Sequence, residues 1–416
     1  LAANVLVLTL CAFISGNPTW AESSKPDSDK APIKIGYLVP LSGVAAPGGQ
    51  DMVDGFNLYL DKIHHKMAGR PVELVVESDE SSPATAILKI NKMVQQDHVQ
   101  MLSGFLLSSV AIKSMPAAEK TQLPVIDALA GYDDLTQRTP SHWVVRTSFS
   151  SSQLTLPFGE WVYKKLGYKR IVTFGNDFNY CWEVVGGFQK TYEEAGGKIV
   201  QKIWAPLGFK DFTPYIKQIR KDADAVFVAT AIGANEIFPK QYKQFGPNLP
   251  VIGVGGSYDE PVLETAGDDA IGTVTSFCSA AGEDSPENRS FVDAYKSTHK
   301  GAIPGLYAEH GYVAAMWINQ AVEAVHGNVE DKEKFLAALK AVELKDSPRG
   351  AMKLDEYGNP IQNIFVRRVD KVHGHLRNTL VFTFPKVSQF WKYDPQEYMK
   401  QPTYSKDFPP CKFCSP

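Results

Sequence analysis

The residues able to act on a small molecule are few, and most stand where a strand pattern gives way to a helix. In Leu102-Ser103-Gly104-Phe105-Leu106-Leu107-Ser108-Ser109 the last two serines sit at the start of a helical pattern. One can cap the helix while the other faces a ligand, or both can be plain caps. Free N–H groups and the helix dipole at such a point suit a carboxylate. Gly253-Val254-Gly255-Gly256-Ser257 also follows a strand pattern but lacks the third glycine of a dinucleotide fingerprint. Its glycines instead permit close approach of backbone to ligand. Catalytic signatures are missing: no G-x-x-x-x-G-K-[ST], no H-E-x-x-H and no G-x-S-x-G. His64 and His65 are adjacent, so on a helix they diverge and read as solvated. His310, between Tyr307 and Tyr312, reads as a packed core histidine. Cys411-Lys412-Phe413-Cys414 has C-x-x-C spacing in a Pro-rich tail with no second pair, which favours a local disulfide over zinc or redox chemistry. The sequon Asn288-Arg289-Ser290 reads as chance, and no metal cluster is evident.

Composition narrows the classes further. The chain has 416 residues, 44% apolar and 21% charged, with 43 Lys and Arg against 46 Asp and Glu. The length suggests two or three domains. A net charge of −3 without a cationic stripe excludes a generally basic nucleic-acid surface. The apolar content excludes a disordered chain. Residues 1–21 carry no charged side chain, and their apolar run from Val5 to Ile14 is too short to cross a bilayer. Thr19-Trp20-Ala21 fits small-x-small cleavage, so residues 1–21 are expected to be a secretory signal, although a basic n-region is missing. A buried N-terminal strand is the alternative. Residues 22–31 read as a polar linker. The expectation is export to the periplasm without stable membrane insertion.

Repeated strand–loop–helix units must position these residues. Strand patterns at Ile33–Val39, Val72–Val76, Val99–Ser103 and Pro124–Ile126 alternate with helical patterns at Asp51–His65, Pro83–Gln96 and Ser109–Thr121. The alternation restarts after Trp143–Arg146, with helices over Glu160–Leu166, Cys181–Ala195, Tyr215–Lys221 and Ile237–Phe245. Strands there cover Arg170–Phe174, Lys198–Trp204, Ala225–Thr230 and Val251–Val254. Such alternation predicts an α/β fold with parallel sheets, and two successive halves predict two lobes. Helical patterns at Pro286–Lys300 and Tyr307–Val325 are expected to pack back on the first lobe. A hairpin is expected from Phe365–Asp370 and Leu380–Thr383, followed by a surface-wrapping segment over residues 385–416.

In this setting residues 32–384 resemble the type I periplasmic solute-binding proteins of ABC transporters, specifically the leucine/isoleucine/valine-binding group. The resemblance is carried by Ile35–Gly49 (IGYLVPLSGVAAPGG), Gly104–Pro116 (GFLLSSVAIKSMP), Arg146-Thr147 before Ser151-Ser152-Gln153, and Asn176–Tyr180. It implies two Rossmann-like lobes joined by three hinge strands and closing over a ligand. The lobes would be 32–147 with 276–347, and 148–275 with 348–384. It also implies a carboxylate-binding serine at Ser108, with Ser109 beside it, and contacts at Ala130, Gly131 and Tyr132. Further contacts are implied at the loop around Pro47 and Gly48, and an aromatic contact at Tyr180. Amino-acid binders of the group place an acidic residue after the strand at Val251–Val254, and Gly255 occupies that place here, with Asp259 nearby.

That departure bears on the ligand. An ammonium closed into a cleft without a counter-charge is disfavoured by roughly several kcal/mol. A carboxylate without an amine fits better, and Tyr132, Tyr180, Tyr258 and Phe277 could supply aromatic walls. Burying ~120 Å² of ring would contribute roughly 3 kcal/mol. The expected protein is therefore an exported, non-enzymatic binding protein without a cofactor. It would deliver a small carboxylate, first an aromatic acid of the benzoate or hydroxycinnamate kind, to an inner-membrane ABC permease. Branched-chain amino acids or amides are the second ligand class. A ligand sensor of the same fold and a periplasmic hydrolase are the rival functions.

Overall fold

The computed structural model describes Leu1 and residues 31–414. The expected signal and all of the expected linker except Ala31 lie outside the described residues or, for Leu1, at an isolated position. The first half of the chain runs β1 (Ile33–Val39), α1 (Ala46–Lys62), β2 (Lys66–Met67), β3 (Arg70–Ser78) and α2 (Pro83–Gln95). It continues through β4 (Met101–Gly104), α3 (Ser108–Glu119), β5 (Val125–Asp127) and β6 (Val144–Arg146). These strands form a six-stranded sheet in the order β2-β3-β1-β4-β5-β6. The apolar run IKIGYLV makes β1 a central strand, buried on both faces and parallel to β3 and β4. Ser82 caps α2 by accepting from the Thr85 amide at 3.4 Å.

The second half holds α4 (Leu156–Trp161), β7 (Arg170–Asn176), α5 (Asn179–Glu194), β8 (Lys198–Ala205), α6 (Thr213–Ile216) and β9 (Ala225–Ala229). There follow α7 (Phe238–Phe245), β10 (Val251–Val254), α8 (Glu260–Ala266), β11 (Val274–Phe277), α9 (Pro286–Thr298), α10 (Leu306–Ala324) and α11 (Lys332–Ala341). The chain ends with β12 (Glu343–Leu344), β13 (Met352–Leu354), β14 (Pro360–Val372), β15 (His375–Val387) and α12 (Pro395–Met399). The second sheet runs β12-β13-β14-β11-β10-β9-β7-β8, with β15 paired to β14. The fold is thus the α/β architecture of two parallel-cored sheets.

Details differ from the sequence reading for local reasons. His64 and His65 are exposed but lie past the end of α1, both in the left-handed region. The helix expected over Glu160–Leu166 begins earlier, at Leu156, and widens into a π turn over Val162–Leu166. Only one turn, α6, forms near Tyr215–Lys221, and α11 was not foreseen. The terminal hairpin is far longer than expected, because the edge strand β15 is largely exposed on both faces and carries weak alternation.

The chain passes between the two sheets three times: after β6, after β11 and after α11. Between the second and third passages α10 lies against α1 of the first sheet. A Cβ on Gly55 would fall 1.8 Å from Ala308 O, and one on Gly311 would fall 2.1 Å from Met52 O. Fully buried Trp317 donates from Nε1 to Leu339 O at 2.9 Å and so ties in α11. Residues after β15 pack Phe390, Tyr398 and Tyr404 against Leu156 in a small separate core. The tail ends in the Cys411–Cys414 disulfide.

Gly311→Ala is expected to pry α1 from α10 and to cost about 1–3 kcal/mol, as overpacking does. Urea unfolding should show a lower midpoint with an unchanged slope. An unaltered midpoint would contradict the close backbone approach.

Candidate functional site

The cavity between the sheets is built from the carboxyl ends of strands, the place where open α/β sheets bind ligands. The space between its walls, counted out into open solvent, is about 520 Å³. The end of β4 contributes Leu106, Leu107 and Ser108; the segment after β5 contributes Leu129 and Gly131; and the first passage contributes Phe149. From the second sheet come Phe178 and Tyr180 after β7, Thr230, Ala231, Ile232 and Asn235 after β9, Gly256 after β10 and Phe277 at the end of β11. Leu306 and Tyr307 open α10 and close the ring of residues. No lining residue is Asp, Glu, Lys or Arg.

A strained turn aims the first wall. Gly104 has φ +101°, where a Cβ would lie 2.4 Å from Leu38 O, and buried Phe105 has φ 65°. Two such residues in succession reverse the chain out of β4, and the Phe105 amide anchors the turn by donating to Leu38 O at 2.7 Å. Ser108 then starts α3 and accepts from the Gly131 amide at 3.2 Å. Its hydroxyl proton and the Ser108 and Ser109 amides remain for a ligand, the Val110 amide being spent on Leu107 O at 3.0 Å. The second sheet supplies the opposite polar group. Asn235 Nδ2 donates to Gly256 O at 2.7 Å, which fixes the amide orientation, and buried Oδ1 has no partner. Thr230 Oγ1 is likewise buried and unpartnered. Burial pushes the Tyr180 phenol far up, so it stays protonated.

Of the expected contacts, Ser108, Gly131, Tyr180 and Phe277 line the cavity together. Gly48 stands just behind the wall, where a Cβ would meet Ile232, Leu106 and Tyr307 at 3.0–3.2 Å. Ser109, Ala130, Tyr132, Gly255 and Tyr258 are not lining residues. Half-buried Ser109 sits one position further along α3, rotated away from Ser108. The Ala130 amide is spent on Phe105 O and Asp127 Oδ1. Tyr132 stacks under the Arg146 guanidinium, 5.9 Å from its ring, and its carbonyl accepts from Arg146 Nη2. Tyr258 is buried in the core of the second sheet. At Gly255 the side-chain space is taken: a Cβ would lie 2.4 Å from both Arg367 Nη2 and Phe277 Cβ. Nor does Asp259 turn into the cavity. It binds Arg367 Nη1 at 3.4 Å and accepts from the Leu306 amide at 2.5 Å.

Phe149, Phe178, Asn235 and Tyr307 are lining residues that the sequence reading missed. Each follows a strand or opens a helix, but position along the chain does not reveal which way such a loop turns. His310 is a core histidine as expected, fully buried, with Nδ1 2.7 Å from Leu306 O. It carries two lining rings, Phe149 at 5.5 Å and Phe277 at 6.1 Å between centroids.

The passages beneath the cavity are pinned by Arg349. Its guanidinium donates to Thr147 O at 2.7 Å and Ser148 O at 3.2 Å in the first passage, and to Gln362 Oε1 at 3.0 Å. It pairs with Glu309 at 2.9 Å and reaches Cys278 Sγ, in the second passage, at 3.9 Å. Beside this hub, Asp133 meets Glu183 of α5, whose Oε1 accepts from the Asp133 amide at 3.1 Å.

With this geometry in view, the comparisons are decisive. A sequence model of a family described as periplasmic binding protein matches residues 32–374. The chain belongs to the periplasmic binding protein family. It is 29% identical over 363 residues to a Leu/Ile/Val-binding protein homolog 6 of Brucella melitensis, covering 85% of this chain and 92% of that one. An ABC transporter substrate-binding protein from Sphaerobacter thermophilus is 34% identical, with a TM-score of 0.82 over 86% of this chain and 99% of that one. A solute-binding protein of an ABC transporter from Rhodopseudomonas palustris, solved with 3,4-dihydroxybenzoic acid, is 31% identical, with a TM-score of 0.81 over 87% and 99% of the two chains. The resemblance to the Leu/Ile/Val-binding group and the type I fold are thereby borne out. Family members are solute-binding proteins, and no helix among the described residues is long and apolar enough to cross a membrane.

Burial raises the Asp133 carboxyl from 3.8 to about 6 and holds Glu183 well above its usual range, each carboxyl disfavouring charge on the other. A carboxyl raised in the folded state contributes stability fully present below its unfolded value and lost as pH rises through the folded one. The stability advantage of wild type over Asp133→Asn should therefore shrink by on the order of 2–3 kcal/mol between about pH 4 and 7. Parallel denaturation curves at each pH would test this. A difference that grows with pH would show the pair to be ionised.

Proposed function

We propose that this protein traps a small aromatic carboxylate between its sheets and delivers it to the membrane permease of an ABC transporter. The carrying observation is a cavity walled by Phe149, Phe178, Tyr180, Phe277 and Tyr307 and free of charged lining residues. An amino acid would bring an ammonium, and Asp259 is engaged by Arg367 and the Leu306 amide, with guanidinium filling the side-chain space at Gly255. Leaving an ammonium unpaired there is costly. A benzoate places its carboxylate at the Ser108 hydroxyl and the Ser108 and Ser109 amides that open α3, where hydrogen bonds to charge are strongest. The ring then fills the aromatic walls, and a ring hydroxyl can donate to Asn235 Oδ1, a buried acceptor that otherwise goes unmet. The bound dihydroxybenzoic acid of the Rhodopseudomonas relative supports this ligand class.

Lobes of 32–147 with 276–347, and 148–275 with 348–384, would close about the three passages, with 385–416 as an extension. The protein would act after export through residues 1–21.

A thermal-shift screen of residues 22–416 should respond to benzoate, 4-hydroxybenzoate and 3,4-dihydroxybenzoate, and not to leucine or valine. Ligand at about 100 times Kd stabilises by about 2.7 kcal/mol. A response to leucine alone would overturn the reading and favour the ligand named for the Brucella relative. Ser108→Ala should weaken benzoate binding by about 1–3 kcal/mol in calorimetry. Asn235→Ala should reduce the ratio of 4-hydroxybenzoate to benzoate affinity, a ratio in which any shared structural loss cancels. An unchanged ratio would remove Asn235 from the hydroxyl site.

A further inference from the structure

We infer that Asp259 is the latch that holds the two lobes closed, a positioning residue that fastens the cavity wall without touching the ligand. The inference rests on the reading of the two sheets as lobes that close over a ligand. Asp259 belongs to the second sheet, between β10 and α8, and is 5% exposed. Leu306 opens α10, which is locked to α1 of the first sheet by the close approaches at Gly55 and Gly311. The hydrogen bond from Leu306 N to Asp259 Oδ2, at 2.5 Å, therefore joins the two lobes.

Three features make this contact more than incidental. The N-cap of α10 is Gly305, which has no side chain to accept a first-turn amide, so the cap comes from the other lobe. Asp259 is held ready for that task by Arg367, whose Nη1 also donates to Ser279 O and whose Nη2 donates to Gly255 O, both at 2.9 Å. Finally, Gly305 leaves the only path: a Cβ there would lie 2.6 Å from Asp259 Oδ2 and 2.9 Å from Pro261. Leu306 and Tyr307, next to the latch, are cavity walls. When the lobes part, the Leu306 amide exchanges the carboxylate for water while the Asp259–Arg367 pair stays intact.

The test uses two variants of the full mature chain. Asp259→Asn removes the charge, and Gly305→Ala blocks the contact from the opposite lobe while leaving the Arg367 pair untouched. Gly305 has φ −93°, which alanine adopts without strain. Small-angle scattering and stopped-flow binding would be run with whichever of 4-hydroxybenzoate and leucine shifts the wild type. Both variants should bind about 10- to 100-fold more weakly, the worth of a charge-assisted hydrogen bond. The loss should lie in a faster off-rate, and the liganded variants should scatter as more open particles. Ligand-free Gly305→Ala should still unfold in one cooperative transition while scattering as a more open particle, a split that a merely structural role would not produce. Unchanged affinity and shape in Gly305→Ala would overturn the latch. Leucine binding in place of 4-hydroxybenzoate would overturn the ligand reading while leaving the latch measurable. Should neither ligand bind, ligand-free wild type scattering as more compact than Gly305→Ala supports the latch, and identical curves overturn it.

Discussion

Three arginines without solvent exposure, Arg146, Arg349 and Arg367, organise the junction on which everything else rests. A buried guanidinium must find acceptors for five N–H groups, because an unpaired buried charge costs several kcal/mol. Arg349 meets that demand with carbonyls from the first passage between sheets, Gln362 of β14 and Glu309 of α10. Arg146 does so with Asp127, Thr136, Asn359 and the Tyr132 carbonyl. Segments distant in sequence are thereby forced together, and the two sheets acquire a common floor.

The same demand explains why the cavity is uncharged. The guanidinium groups near it take their partners from behind the wall, so the lining is left to rings and a few dipoles. His310 supports Phe149 and Phe277 from below, and Arg367 lies 5.7 Å from the Phe277 ring. Polar groups left over at the wall, the Ser108 hydroxyl and Asn235 Oδ1, stand on different lobes.

The chain after β15 adds a second tie near the hinge. Arg138 donates to Met399 O at 3.2 Å and Gln401 O at 2.7 Å, and Thr403 donates to Asp134 at 2.7 Å. Tyr398 and Tyr404 meanwhile pack beside Leu156, and the Tyr398 hydroxyl reaches Ser152 Oγ at 3.4 Å. The segment touches both sides of the first passage, where small rotations become large displacements at the cleft mouth.

Much of this architecture was legible in the chain itself. Apolar runs such as Ile33–Val39 and Ala225–Ala229, separated by amphipathic stretches, specify parallel strands and covering helices through local periodicity alone. Ser108 was legible because it sits where a helix follows a strand, and Tyr180 through the family resemblance. The absence of an acid at Gly255 was legible too. What occupies that space was not, because Arg367 lies more than a hundred residues away along the chain. Nor could sequence show that Asp259 is consumed by Arg367 and Leu306, or that Tyr132 and Tyr258 turn from the cavity. Periodicity is a property of neighbours along the chain, whereas side-chain direction in a loop is set by whichever distant groups must satisfy buried charge and fill space. The sequence by itself therefore determined the two sheets and the strand ends that border the cavity. Only the tertiary structure decided which side chains face it, because desolvation makes every buried ion choose its partners across the whole fold.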